Sequence, residues 1–375
     1  MKAKIWLSSP HMGGTEQNYI KEAFDANWIA PLGPNVNGFE KDLENYLEQD
    51  KNVACLSSGT AAIHLALVQL GVVLNDEVIC QTFTFCGSSN PIAYQGAIPV
   101  FVDSEPETWN MCPLHLEAAI KNRIANGITP KAIIIVHLYG MPSKIDELLE
   151  VASKYKIPVI EDAAEALGST YKGRKCGTFG DFSILSFNGN KIITTSGGGA
   201  MVCNTEEDKN QTVFYATQAR DIAPHYEHSK IGYNYRMSNI SAGIGRGQME
   251  VLDKHIGLRR DMNAFYVDLF KDIKGVEVQK QPGSEFYSNF WLSCILIHED
   301  APFTKAQFQE AMDAENIETR PLWKPMHLQP VFKNPLYFGN KLSESLFKNG
   351  LCLPSGSNLT QEERDRILKV VISIK

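Results

Sequence analysis

Lys191 lies a few small polar residues beyond the apolar run Ser183-Ile184-Leu185-Ser186-Phe187 and just before the glycine cluster Gly197-Gly198-Gly199. That spacing puts an amine at a strand end, beside a loop with little side-chain bulk, where a bound molecule can reach it. Most lysines are simply solvated, so the weight comes from the residues that accompany it. Asp162 closes the run Ile157-Pro158-Val159-Ile160-Glu161. A carboxylate there either faces a ligand crevice or caps a helix over 163–167, with Glu165 spaced for a capping box. Ser58-Gly59-Thr60 follows the run Val53 to Leu56 and opens a helical stretch. A helix start offers free N–H groups and partial positive charge to a phosphate; the same tripeptide also makes an ordinary capping turn. Phe85 supplies an aromatic face after a further run, and Ser186 a hydroxyl five residues before Lys191. A phosphate cradle, a flat stacking surface, a carboxylate and a lysine together meet the needs of pyridoxal phosphate, which takes a lysine as Schiff base and an acidic partner at its pyridinium nitrogen.

These residues need strands to present them. Val53–Leu56, Glu77–Cys80, Pro99–Val102, Ala132–Val136 and Pro158–Ile160 read as strands, alternating with helical stretches at Ala61–Leu70, Ser89–Tyr94, Leu114–Asn122 and Ile145–Tyr155. Such alternation predicts an α/β fold, a largely parallel sheet with helices on both faces, and ligands beyond the carboxyl ends of its strands. Two helices precede it, over 13–27 with Thr15 as cap and over Phe39–Leu47, joined by the Pro- and Gly-containing loop 27–34. After Gly199 the pattern changes: a strand at Ala200–Cys203, a helix over Glu206–Arg220, a long helical region over Met237–Tyr266, then strands at 276–278 and 290–297 and helices at 305–315 and 361–371. The expected division is a large domain, 1–250, and a small C-terminal α+β domain, 251–375.

With 375 residues and 43% hydrophobic content the chain can build a substantial core, and a net charge of −7 without a basic tract argues against a nucleic-acid partner. The eight cysteines are scattered with no C-x-x-C pair, which reads as reduced thiols in a cytoplasmic protein and neither a disulfide framework nor a metal site. No apolar run approaches the roughly 20 residues of a membrane span, and the first residues lack a signal-peptide core.

Taken together, Gly33 to Glu40, Ser58-Gly59-Thr60, Thr82-Phe83-Thr84-Phe85, Glu161-Asp162-Ala163-Ala164-Glu165, Gly177 to Asp181, Ser186 to Lys191 and Gly232-Tyr233-Asn234-Tyr235-Arg236 resemble the sugar-nucleotide aminotransferases of the DegT/DnrJ/EryC1/StrS family. These are pyridoxal-phosphate enzymes of fold type I, aspartate aminotransferase-like. Asn27 to Pro34, Phe187 to Lys191, His225 to His228 and Arg320 to His327 are most similar to the 4-aminotransferase branch, which acts on nucleotide-linked 4-keto-6-deoxy sugars in the bacillosamine and perosamine routes.

The resemblance implies roles. Lys191 holds the cofactor and shuttles protons, and Asp162 keeps the pyridine nitrogen protonated. Phe85 stacks on the ring, Gly59, Thr60 and Ser186 bind the phosphate, and Glu165 lies near the ring hydroxyl. Asn234 reaches the phosphate from a second subunit, making a homodimer with shared sites. Arg320, Lys324 and His327 meet the nucleotide, while Trp28, Ile29, Ala30 and Ser58 line the sugar side. L-glutamate donates the amine to C4 of a keto sugar, UDP-linked by preference and GDP- or dTDP-linked otherwise. The family's dehydratase branch has histidine in place of the lysine, so Lys191 points to amine transfer. A cofactor-bound regulator on the same fold would be expected to bring a basic module that this chain lacks.

Overall fold

Each strand of the first half alternates its side chains between two helical layers, and that twofold period fixes the architecture. The computed structural model describes residues 2–48 and 50–375. Its strands in chain order begin with β1 (Asn52–Leu56), β2 (Glu77–Gln81), β3 (Ile98–Val102), β4 (Ala132–Val136) and β5 (Val159–Asp162). The short pieces β6 (Thr170–Tyr171) and β7 (Arg174–Lys175) lead to β8 (Phe182–Ser186) and β9 (Gly199–Cys203). The later strands are β10 (Val276–Val278), β11 (Phe286–Tyr287), β12 (Ser293–Ile297), β13 (Arg320–Pro321), β14 (Leu336–Phe338) and β15 (Gly350–Leu353). The large sheet has the order β1-β9-β8-β5-β4-β2-β3-β14. It is parallel except at β9, which runs against both β1 and β8.

The helices of this layer system are α1 (Glu16–Asp25), α2 (Pro34–Leu47), α3 (Gly59–Gln69), α4 (Cys86–Tyr94), α5 (Pro113–Ala125), α6 (Ile145–Tyr155), α7 (Glu206–Ala216) and α8 (Asn239–Met249). On one face Val78, Cys80, Ile134 and Ile184 pack with Leu65 of α3, Ile92 of α4 and Ala216 of α7. On the other, Cys55, Leu185 and Val202 meet Phe39 and Leu43 of α2, and Ile79, Ile133 and Ile135 meet Leu116 of α5 and Leu148 of α6. Each such leucine, fully buried, contributes about 1.5–3 kcal/mol of transfer free energy.

Beyond lie α9 (Leu252–Phe270), α10 (Lys305–Ala314), α11 (Leu342–Asn349) and α12 (Gln361–Ile374). They accompany a second sheet, β10-β12-β15-β13, and β6, β7 and β11 form a small third sheet. Two pieces cross residue 250: Ile5 packs in the second core and bridges Ile317, while β14 adds to the large sheet beside β3. No helix among the described residues is long and apolar enough to cross a membrane.

Several expected elements change shape. The helical region over 237–266 is two helices, α8 and α9, broken at Glu250–Val251. The glycines of α8 explain its place: a Cβ at Gly245 would stand 2.6 Å from the Phe39 ring, and one at Gly247 2.7 Å from the Glu16 backbone. Bare backbone there lets α8 lie directly on α1 and α2. α2 starts at Pro34, five residues earlier than expected, because Pro suits the first helical turn. The helix after Glu206 stops at Ala216, since Gln218 and Ala219 take positive φ. Thr15 does not cap α1; its hydroxyl donates to Glu250 at 2.8 Å, and the Glu16 carboxylate accepts instead from the Gly13 and Gly14 amides. Residues 163–167 form turns, so Asp162 is not a helix cap.

Candidate active site

Strand ends converge on one point. β5 ends at Asp162 and β8 at Ser186, neighbours in the parallel sheet with Asp162 opposite Ile184. β1 leads through Ser57 and Ser58 into α3, and β2 leads to Phe85 at the start of α4. The antiparallel β9 begins here too. A Cβ at its first residue, Gly199, would stand 2.2 Å from the Gly59 nitrogen, so only glycine lets β9 pass beneath the α3 start. Beyond these ends opens a cavity of about 1090 Å³. Ser58, Gly59, Thr60, Phe85 and Ser186 line it, together with Asp162, Glu165, Lys191 and Arg320.

Lys191 hangs from an irregular loop, its side chain largely buried. Its Nζ donates to Glu165 Oε1 at 3.1 Å and stands 4.0 Å from the centre of the Trp291 indole. Glu165 is itself fixed, because its Oε2 accepts from the Tyr139 amide at 2.7 Å. Burial pushes the Glu165 carboxyl above the usual carboxylate range, opposed by the Lys191 charge and the Tyr139 N–H. Tyr139 takes a positive φ of 55° to aim that N–H, a strained placement for a non-glycine residue.

Asp162 is buried and held by two donors: Ser88 Oγ to Oδ2 at 2.6 Å and the Ala164 amide to Oδ1 at 3.1 Å. A carboxylate accepts about four hydrogen bonds, so acceptor capacity remains for a cationic ring N–H. Opposite lies the α3 start, where Ser58 caps through its Oγ (Ala61 amide, 3.0 Å) and the amides of Gly59 and Thr60 belong to the first turn, which has no intrahelical acceptors. A Cβ at Gly59 would press on Ser186 at 3.2 Å, so the glycine keeps the cradle open. Amine, carboxylate, helix start and half-exposed Phe85 face thus fit the groups of pyridoxal phosphate.

The other expected residues lie elsewhere. Trp28, Ile29 and Ala30 are not on this cavity wall; they sit on the loop between α1 and α2, where Asn239 binds the Trp28 and Ala30 carbonyls. Asn234 is exposed and bridges Thr217. Lys324 and His327 also lie off the wall: the His327 ring bonds Thr82 Oγ1 at 2.7 Å and stacks on Tyr337 at 4.0 Å. Arg320 reaches the rim, two-thirds exposed, with its guanidinium on Glu318 at 2.7 Å. His225 and His228 are exposed.

Three contributors carry no local sequence signal. Ser88 acts from the first turn of α4, Tyr139 from the short 3-10 helix Leu138–Gly140, and Trp291 from a segment whose indole N–H donates to the Asn190 carbonyl, 101 positions away. His137, Glu161 and Cys176 cluster with metal-ligand chemistry, but the Glu161 oxygens are already taken by His137, Ser183 and the amides of Gly177, Phe179 and Gly180. His137 has both ring nitrogens engaged in this shell, Nδ1 with the Ser143 amide at 3.0 Å and Nε2 with Glu161 Oε1 at 2.8 Å.

Comparison with known proteins agrees with this geometry. Residues 10–372 match the model of the DegT/DnrJ/EryC1/StrS aminotransferase family. The chain is 50% identical to EpsN of Bacillus subtilis (strain 168), over 100% of this chain and 96% of the relative. It is 36% identical to GDP-perosamine synthase of Caulobacter vibrioides, over 97% of this chain and 96% of that one. A crystal structure of a DegT DnrJ EryC1 StrS aminotransferase from Brucella abortus superposes with a TM-score of 0.88 at 29% identity, covering 96% of this chain and 94% of the other. The chain therefore belongs to the DegT/DnrJ/EryC1/StrS aminotransferase family and is a pyridoxal-phosphate-dependent sugar aminotransferase.

Proposed function

We propose that this enzyme moves the amino group of L-glutamate to C4 of a nucleotide-linked 4-keto-6-deoxy sugar, by preference UDP-2-acetamido-2,6-dideoxy-4-hexulose, in cytoplasmic surface-glycan synthesis. The observation that carries the reading is the Lys191 amine held at Glu165 in the same cavity as the Ser88-bound Asp162. The bound cofactor supplies a ring that takes up the charge left at a substrate carbon when a proton leaves. The protein's residues do the rest. Asp162 keeps a proton on the ring nitrogen, and the Ser88 and Ala164 donors hold its carboxylate in place. Phe85 covers a ring face, and Ser186 with the α3 start holds the phosphate. Lys191 Nζ, once free, carries a proton to and from the substrate carbon, a task that needs a positioned base.

Arg320, at the cavity rim, is assigned to the nucleotide, and Lys324 and His327, which lie off the cavity wall, are assigned to it only through their neighbourhood in the chain. Asn234 and Trp28 to Ala30, being outside this cavity, are assigned to the site of a second copy in a homodimer. A GDP-linked acceptor is the second reading, favoured by the relative named GDP-perosamine synthase.

The test is an absorption spectrum of the purified protein before and after L-glutamate, then after the UDP-linked keto sugar. Bleaching of the visible band of lysine-bound cofactor by L-glutamate, and its return with the sugar, is the expected result. Bleaching without return turns the assignment to GDP- and dTDP-linked sugars. A visible band that survives Lys191→Ala overturns the reading of Lys191.

A further inference from the structure

Arg259 lies inside α9 and is about 1% exposed, yet no carboxylate pairs with it among the described residues. A buried, unpaired charge is costly, so its partners repay attention. They are the carbonyls of Trp291 (2.7 Å), Ser355 (3.2 Å) and Lys191 (3.4 Å) and the Ser8 hydroxyl oxygen (3.0 Å). Two of these partners turn to the residue before the lysine. Ser8 Oγ donates to the Asn190 carbonyl at 2.8 Å, and Trp291 Nε1 donates to the same oxygen at 2.7 Å. The carbonyls on both sides of the Lys191 Cα are thus tethered, one by Arg259 and the other by two groups that Arg259 holds. The Trp291 face, steadied by the same guanidinium, stands under Lys191 Nζ.

No helix or strand fixes Lys191, so this network sets where its side chain starts. Neutral donors could tie two segments. Four acceptors on four separate segments call for a planar fork of charge-assisted donors. We propose that Arg259 is a positioning residue for amine transfer, one that holds the backbone of Lys191 so that its Nζ meets the cofactor and the substrate proton. This rests on the reading of Lys191 as proton carrier.

The test compares Arg259→Lys, which keeps the charge and loses the fork, with Ser8→Ala, which removes one tether at a half-exposed residue. Cofactor-free full-length protein is mixed with pyridoxal phosphate, and its capture by Lys191 is followed by absorbance. The half-reaction is then run with L-glutamate and its 2-deuterated form. Arg259→Lys is expected to slow capture and proton removal about 10- to 100-fold, with KM for L-glutamate unchanged and the isotope effect raised. Ser8→Ala gives a smaller loss of the same kind. Wild-type capture rate and isotope effect in both variants, with activity tracking only the folded fraction, would overturn the proposal. If wild-type protein fails to react with L-glutamate, the donor assignment falls, and the capture rate still decides the role of Arg259.

Discussion

Strand β5 carries Glu161 and Asp162 side by side, and its twofold period sends them to opposite faces. Glu161 points into a shell of five donors. Burial works against its charge, and the donors from His137, Gly177 and Ser183 outweigh that and hold its carboxyl well below the ordinary range. Asp162 meets two donors and faces the cavity. Their substitutions separate accordingly. Glu161→Gln turns an acceptor into a partial donor among donors and should cost about 3 kcal/mol in urea unfolding. Because the folded carboxyl is the stronger acid, its contribution is full above the unfolded value near pH 4.5 and is lost as pH falls below it. Glu161→Gln protein should therefore show a flatter loss of stability on acidification. Under the proposed function, Asp162→Asn should leave the urea midpoint close to wild type and slow the L-glutamate half-reaction about 100-fold or more, because the preorganised charge assigned to the ring nitrogen would be lost.

Among the elements, α11 shows how a helix can be started from far away. Its N-cap position is Lys341, in left-handed conformation and without a side-chain cap. Asp103, just past β3, takes that part: it accepts from the amides of Asn340 (3.2 Å), Leu342 (2.8 Å) and Ser343 (3.0 Å) and from the Tyr337 hydroxyl (2.8 Å). Asp103→Asn should cost about 1–2 kcal/mol and speed hydrogen exchange first at amides 340–343, with α3 amides unchanged; uniform protection would refute the assignment.

The same example marks what the sequence could reveal. β1 to β5, β8 and β9 were legible because each is a short apolar run closed by small or polar residues. Asp162, Lys191, Phe85 and Ser58 to Thr60 could be singled out because each closes or follows such a run, and the structure brings them to one cavity, with Lys191 on an irregular loop five residues past β8. β14 and α11 were not: their supports are a parallel edge strand and a carboxylate 239 positions away. Ser88, Trp291 and Arg259 were hidden for the same reason, since each meets the site across a tertiary contact that leaves no periodic trace.

On the scale of the whole molecule, one chain brings Lys191, Asp162 and the α3 start to a single cavity and leaves a second set of candidate residues facing outward. Trp28 and Ile29 are exposed on one loop, while Ile222, Tyr226 and Ile231 project from the segment that precedes the exposed Asn234. Several large apolar side chains left bare on two loops are the kind of surface that another protein chain covers. A twofold dimer would present the same two loops to each partner, so Asn234 would act in the cavity of the other subunit. The consequence is specific. In such a dimer, Lys191→Ala and Asn234→Ala homodimers should each be impaired, but a mixed dimer would have one site with Lys191 from one subunit and Asn234 from the other, and a second site with both defects. Random reassortment at equal amounts makes half of the dimers mixed, each with one sound site. The mixture should therefore recover about a quarter of wild-type turnover. Recovery that rises with the measured mixed-dimer fraction would place Asn234 across the interface. Verified mixed dimers without recovery would return it to a role within its own chain.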